Sequence, residues 1–161
     1  EERLQDVPAN ASSIEKSRAA KDRFLKSSEE SPLPKEDRPA FTGLSYFAYD
    51  ESFAVIAAFE PAESADTLRM PASQGTSMPM VRAGVFTFSV GESDKEYTLV
   101  AYKKPGNDSR QLTIPFKDKT SDFSTYGAGR YLEVDEPSGD ECTLDFNLAY
   151  NPYCAYNEDY S

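Results

Sequence analysis

From Phe41 onward, apolar and polar residues alternate with a period of two, and Gly, Pro, Asp or Ser turn residues recur every eight to twelve positions. This pattern predicts strands near 44–49, 53–60, 66–71, 83–90, 96–103, 110–116, 129–135 and 141–149. In AGVFTFSVG (83–91), Val85, Thr87 and Ser89 alternate with Phe86, Phe88 and Val90, so one face belongs to a core and the other is mixed. GESDKE (91–96) and KPGNDSR (104–110) read as the turns that follow. About eight short antiparallel strands predict a mainly β fold, a sandwich or a barrel. The period before Phe41 is helical. Ser12 and Glu15 match an S-x-x-E capping box, which predicts a helix from residue 12 to about residue 28, within a helical region bounded at 12–30. Its apolar face is narrow, with Ile14, Ala20, Phe24 and Leu25, and SPLP (31–34) ends it because proline blocks continuation. The helix is expected on one side of the β domain or closing one end. Residues 1–11 form a polar lead, and 12–161 read as one domain without internal repeats.

Composition narrows the chemistry. The 161 residues fit a single core. A formal charge of −11, from 28 acidic against 17 basic residues, argues against nucleic acid or an anionic membrane face, both of which need a basic footprint. The longest apolar run, FAVIAAF (53–59), is far short of the roughly 20 residues of a membrane span. The chain opens on Glu1 with no hydrophobic signal segment, so a cytoplasmic protein and an exported one with its leader removed are both expected possibilities. Histidine is absent, which removes Ser-His-Asp and Cys-His nucleophiles, histidine-based zinc or haem ligation and imidazole proton shuttling. Any catalysis would fall to carboxylates, Tyr, Lys or Cys. Cys142 and Cys154 lack metal-ligand spacing and are either free or paired; no metal site is expected, and no cofactor or oligomeric state is indicated.

Unusual residues concentrate between Asp118 and Tyr156. In GRYLEV (129–134), Arg130, Leu132 and Val134 share one strand face, so Arg130 points inward or to the core's rim. A guanidinium there needs a carboxylate, with Asp118 or Asp145 as candidates, or an anionic ligand. In LDFNLAY (144–150), strand alternation puts Asp145 and Asn147 on one face, about 6–7 Å apart, facing solvent or lining a polar cavity. Strand pattern alone favours solvent. Asn151-Pro152 ends the strand, and Tyr150, Tyr153 and Tyr156 suit either a ligand wall or a packed seam. Cys154 lies among them as a possible thiol, a nucleophile only if a cation lowers its pKa. YGAGR (126–130) lacks the ending of a phosphate loop and reads as a turn needing positive φ.

DRFLKSSEESPL (22–33), FTGLSYF (41–47), PFKDKTS (115–121), TYGAGRYL (125–132) and LDFNLAYNPYCAY (144–156), in this order, resemble the bacterial and archaeal proteins grouped as domain of unknown function 1684. The resemblance covers nearly all of the chain after residue 20. It implies that Arg38, Phe41, Gly43, Tyr46, Asp118, Thr120, Tyr126, Gly129, Arg130, Asp145, Asn147, Asn151, Pro152 and Cys154 occupy motif positions. Ala48 departs from the proline expected after Tyr-Phe, and Asp122 and Ser124 depart from Gly and Glu. If that glutamate is chemical in the family, this member lacks it. The family pattern also implies a Cys-Pro-x-Pro-Pro segment and a final strand beyond Ser161, with a disulfide partner for Cys154.

Three functions compete. The first is a domain binding a polar or anionic small molecule through Asp118, Tyr126, Arg130, Asp145, Asn147 and Asn151. The second is a histidine-free hydrolase using a carboxylate pair, Asp118 and Asp145. The third is a structural or interaction module, which requires Arg130 to be paired internally.

Overall fold

The structure, a computed structural model, describes residues 10–71, 76–106 and 108–160. A helix, α1 (Ala11–Ser27), precedes seven strands: β1 (Ala54–Pro61), β2 (Thr67–Pro71), β3 (Ser77–Ser89), β4 (Glu96–Lys103), β5 (Gln111–Phe116), β6 (Arg130–Asp135) and β7 (Glu141–Asp145). All the strand pairings are antiparallel, in the order β6-β5-β4-β3-β1-β7, with β2 paired to the first part of β3. The seven-stranded sheet curls until it is nearly closed into a barrel. The segment after β7 completes the circuit, since Tyr150 and Tyr131 exchange backbone hydrogen bonds of 2.9 Å each way.

The alternation that predicts strands also sets the core. Val55, Ala57 and Phe59 of β1 point inward with Phe86, Phe88, Ala101, Leu112, Ile114, Leu132 and Leu144. The bulge between Arg82 and Gly84 lets β1 come close: a Cβ on Gly84 would sit 2.5 Å from the Glu60 carbonyl oxygen and 2.6 Å from the Phe59 ring.

Three strand expectations change. The predicted strand 44–49 is an extended strap without a ladder. The strand expected at 83–90 begins at Ser77, because its first half carries Pro79 and pairs with the short β2. The strand expected at 141–149 stops at Asp145, whose side chain accepts from the Asn147 N–H (2.9 Å) and caps a 3₁₀ turn, Phe146–Leu148.

The helix is found, but its box is different. Asn10 is the cap: its Oδ1 accepts from Ser13 N–H (2.9 Å), and Ser13 Oγ accepts from Asn10 N–H (3.0 Å). At the other end, the buried Ser31 hydroxyl donates to the Leu25 carbonyl oxygen (2.5 Å) and accepts from Leu33 N–H (3.2 Å). Ile14 and Leu25 are buried, Phe24 is half-buried and Ala20 is exposed. Of the polar lead expected at 1–11, all but Asn10 and Ala11 lies outside the described residues.

Candidate functional site

Side chains, not a β-ladder, hold the strap at 41–50. On α1, Lys26 Nζ donates to the Phe41 carbonyl (2.9 Å), Asp22 Oδ1 accepts from Leu44 N–H and from the Tyr46 hydroxyl (both 3.1 Å), and Arg18 Nη1 donates to the Phe47 carbonyl (2.6 Å). Asn147 closes the far end: its Oδ1 accepts from Asp50 N–H (3.0 Å) and its Nδ2 donates to the Asp50 carbonyl (2.9 Å). One asparagine thus replaces a two-bond step of a sheet, which strand periodicity cannot reveal.

Arg130 opens β6, and its guanidinium Nη2 donates to Asp118 Oδ2 at 2.7 Å. The ion pair anticipated as one of two alternatives is the one with Asp118. The guanidinium lies over the Phe116 ring (5.2 Å to its centroid) and near Phe47 (6.0 Å), with only 16% of the side chain exposed. Asp118 Oδ1 also accepts from the Thr120 N–H (2.8 Å) and the Thr120 hydroxyl. Burial pushes the Asp118 carboxyl up, but the Thr120 hydrogen bonds and the Arg130 charge more than reverse this, leaving it below its ordinary value. The turn leading to Arg130 requires Gly129, whose φ is +105° and whose absent Cβ would lie 2.7 Å from the Phe116 carbonyl oxygen.

Asp145 is buried, not solvent-facing as strand alternation suggests, because the chain leaves the strand there and its carboxylate turns inward as a cap. Its Oδ1 accepts from Asn147 Nδ2 (2.8 Å) as well as from the backbone, while Oδ2 is buried without a partner among the described residues. Asn151 Nδ2 reaches the Tyr156 hydroxyl (3.4 Å), and its buried Oδ1 also lacks a partner among the described residues. Around them runs a tyrosine seam. Tyr131 stacks on Tyr150 (5.9 Å), Tyr150 donates a short hydrogen bond to Glu133, and Thr113 donates to the same carboxylate (3.2 Å). Tyr126 donates to Cys154 Sγ (3.4 Å), and Cys142 and Cys154 are both free thiols. Burial, reinforced by the charges and hydrogen bonds of Asp22 and Glu133, holds the Tyr46 and Tyr150 hydroxyls well above the ordinary phenol pKa. Burial also raises Tyr131 and Tyr156, in the second against the Asn151 hydrogen bond.

The candidate residues therefore fall into three groups. Asp118 and Arg130 form one cluster with Thr120. Asp145 and Asn147 form a second with Asp50, which touches α1 where Arg18 Nη2 donates to the Asn147 carbonyl (3.4 Å). Tyr126 and Asn151 belong to the seam.

A small cavity of about 50 Å³ lies where α1 meets the closing segment, lined by Ile14, Ser17, Arg18, Lys21, Tyr46 and 147–150. Two of its walls are cations. The Arg18 guanidinium lies 4.9 Å from the Tyr46 ring centroid with a buried Nε that has no partner among the described residues. The Lys21 ammonium lies 5.4 Å from that of Tyr150. Neither forms a salt bridge among the described residues. Burial lowers the Lys21 pKa, with the Asp22 charge opposing it in part.

Sequence reasoning missed Arg18, Lys21, Asp22 and Glu133 as site residues. A signal exists for the first two. Positions 14, 18, 21 and 25 recur at i, i+4, i+7 and i+11, so Arg18 and Lys21 share the stripe of the buried Ile14 and Leu25, where charge is unexpected. No group of three or more His, Cys, Asp or Glu side chains is placed to hold a metal ion among the described residues. No helix among them is long and apolar enough to cross a membrane.

No curated protein matches the chain. Among solved structures, the fold is similar to the solution NMR structure of an uncharacterized protein of Haloarcula marismortui. The TM-score is 0.71 at 34% identity, over 93% of this chain and 82% of that one. A family profile matches residues 39–161, which contain Asp118, Arg130, Asp145 and Asn147 in the arrangement described above. The chain belongs to the family described as Protein of unknown function (DUF1684).

Proposed function

We propose that this β-barrel domain binds a small oxyanion, a carboxylate or a group of similar size, in the cavity between α1 and the closing segment. One observation carries the reading: Arg18 and Lys21 line a common hollow, half-buried and in no salt bridge among the described residues, with the Asp22 charge offsetting only part of the burial of Lys21. A desolvated cation is costly until an anion neutralises it. The unpartnered Arg18 Nε offers a hydrogen bond, Lys21 supplies a second charge, and Tyr46 and Tyr150 form the walls. A volume of about 50 Å³ suits one compact group with little besides.

In this reading the motif residues build the frame. Asn147, anchored on Asp145 and Asp50, sets the floor of the cavity, and Tyr126 and Asn151 brace the seam behind it. Arg130 orders the loop at 118–129 through Asp118 and is not the anion anchor, because its charge is already neutralised. The carboxylate-pair hydrolase has less in its favour, since neither Asp118 nor Asp145 lines this cavity.

The test is an amide NMR titration with acetate on the wild type and on the Arg18→Met and Lys21→Met variants. The expected result is saturable shifts at residues 17–22, 46 and 147–150 that vanish in both variants while each keeps a dispersed, folded spectrum. Absent shifts, or shifts that survive both substitutions, would sink the reading.

A further inference from the structure

A second hollow opens on another part of α1. It is a groove of about 400 Å³ lined by Arg23, Lys26, Ser27, Lys35, Arg38 and Pro39. Four of the chain's 17 basic residues line it, and no lining residue is acidic, although the chain carries 28 acidic residues and a net charge of −11. We infer that this groove is a separate binding site for a compact polyanion, a small molecule or ion carrying several negative charges.

Local structural duties account for only part of this charge. Lys26 donates to the Phe41 carbonyl (2.9 Å) and sits in the last turn of α1, where a cation offsets the helix dipole. Arg38 ties down its own turn through Nε to the Leu33 carbonyl and Nη2 to the Ser31 carbonyl, both at 3.0 Å. These bonds fix where the two charges stand without neutralising them, because a backbone carbonyl bears no net charge. Arg23 and Lys35 lack even that role. The Arg23 guanidinium makes no hydrogen bond or ion pair among the described residues. Lys35 Nζ lies 4.0 Å from Glu29 Oε2, but the two side chains are 79% and 92% exposed, so that pair is weak.

Size and field then select the ligand. The groove falls within the roughly 300–1,000 Å³ of ordinary ligand sites, while the cavity beside Arg18 does not. Each exposed contact with a single charge is worth little in water, so one carboxylate gains too few of them, whereas a multiply charged anion engages several cations at once. Arg23 also presents a planar fork suited to phosphate or carboxylate oxygens, while Arg38, with Nε and Nη2 on backbone carbonyls, leaves Nη1 for such an oxygen. The acidic remainder of the molecule repels an extended polymer such as nucleic acid beyond the groove, which leaves a compact anion as the occupant.

Inorganic pyrophosphate is the probe, titrated by amide NMR and by calorimetry into the wild type, the Arg23→Ala/Lys35→Ala double variant and Arg18→Met. The expected result is saturable shifts at residues 23–39, at least a tenfold weaker Kd in the double variant, and weakening on going from 50 to 500 mM salt. Acetate at matched ionic strength should leave these residues unmoved, and Arg18→Met should bind pyrophosphate like the wild type, which separates this site from the small cavity. Arg23 and Lys35 are exposed and hold no backbone contact through their charged groups, so the double variant tests binding and not folding. The inference is overturned by absent shifts, by binding unchanged in the double variant, or by shifts confined to Tyr46 and Tyr150.

Discussion

Arg130 and Arg18 are both arginines set against aromatic rings, yet their surroundings differ in kind. Arg130 meets a carboxylate at 2.7 Å, and that carboxylate is itself fixed by Thr120. Arg18 meets two backbone carbonyls, keeps an unpartnered Nε and has another cation, Lys21, lining the same hollow. The first charge is closed off within the fold and the second is left open. The conspicuous motif arginine is thus paired within the fold, whereas the inconspicuous helix arginine is in no salt bridge among the described residues.

The contrast breaks most severely at the paired arginine. Gly129→Ala forces a Cβ onto a φ of +105° and against the Phe116 carbonyl, and should cost roughly 2–3 kcal/mol in urea unfolding. Arg130→Ala should cost about 2 kcal/mol, since it removes a charge-assisted hydrogen bond and the cover over Phe116, with the exposure of Asp118 limiting the loss. Arg18→Met retains an apolar stem and removes an orphaned donor but also loses the bonds to the Phe47 and Asn147 carbonyls, so it should cost about 1–1.5 kcal/mol, less than Arg130→Ala. An Arg18→Met loss as large as that of Arg130→Ala would erase the distinction between paired and open charge.

The pH dependence sharpens the same comparison. The folded-state pKa of Asp118 lies below its ordinary value of 3.8, so the ion pair contributes fully above that pH, and its contribution is lost as pH falls through the folded value. Asp118→Asn should flatten this acid limb of the stability curve. At the other end, the raised pKa values of Tyr46, Tyr131, Tyr150 and Tyr156 give stability that is complete below the ordinary value of 10.0 and declines above it. Ultraviolet titration of the chain's 10 tyrosines should then split into an early set and a late set that ionises with unfolding. One normal transition would refute the buried seam.

The smallest effect concerns Lys21. Burial lowers its pKa, and a bound anion should raise it again, so carboxylate binding should take up protons near the alkaline end of the range. The proton uptake can be read by calorimetry in buffers of different ionisation enthalpy.

Much of the fold was legible along the chain. Alternation at 53–60, 96–103 and 110–116 reports β1, β4 and β5 closely because each strand buries one face, and a period of two survives whatever the strand pairs with. The strap at 44–49 has the same alternation but takes its hydrogen bonds from Asp22 and Arg18, with Asn147 holding Asp50 just beyond it, all remote in sequence. Asp145 and Asn147 read as neighbours on a strand and are instead a cap and a clasp. The Asx turn that moves them is local, but the burial that turns Asp145 inward comes from the barrel around it.

By itself, the sequence determined the class of fold, the absence of imidazole chemistry and the position of the unusual motifs, because composition and short-range periodicity are properties of the chain alone. Which charges are neutralised was decided only by the tertiary structure. Asp118 and Arg130 meet across a turn, whereas Arg18 and Lys21 face a segment more than a hundred residues away, and electrostatic pairing depends on distance in space.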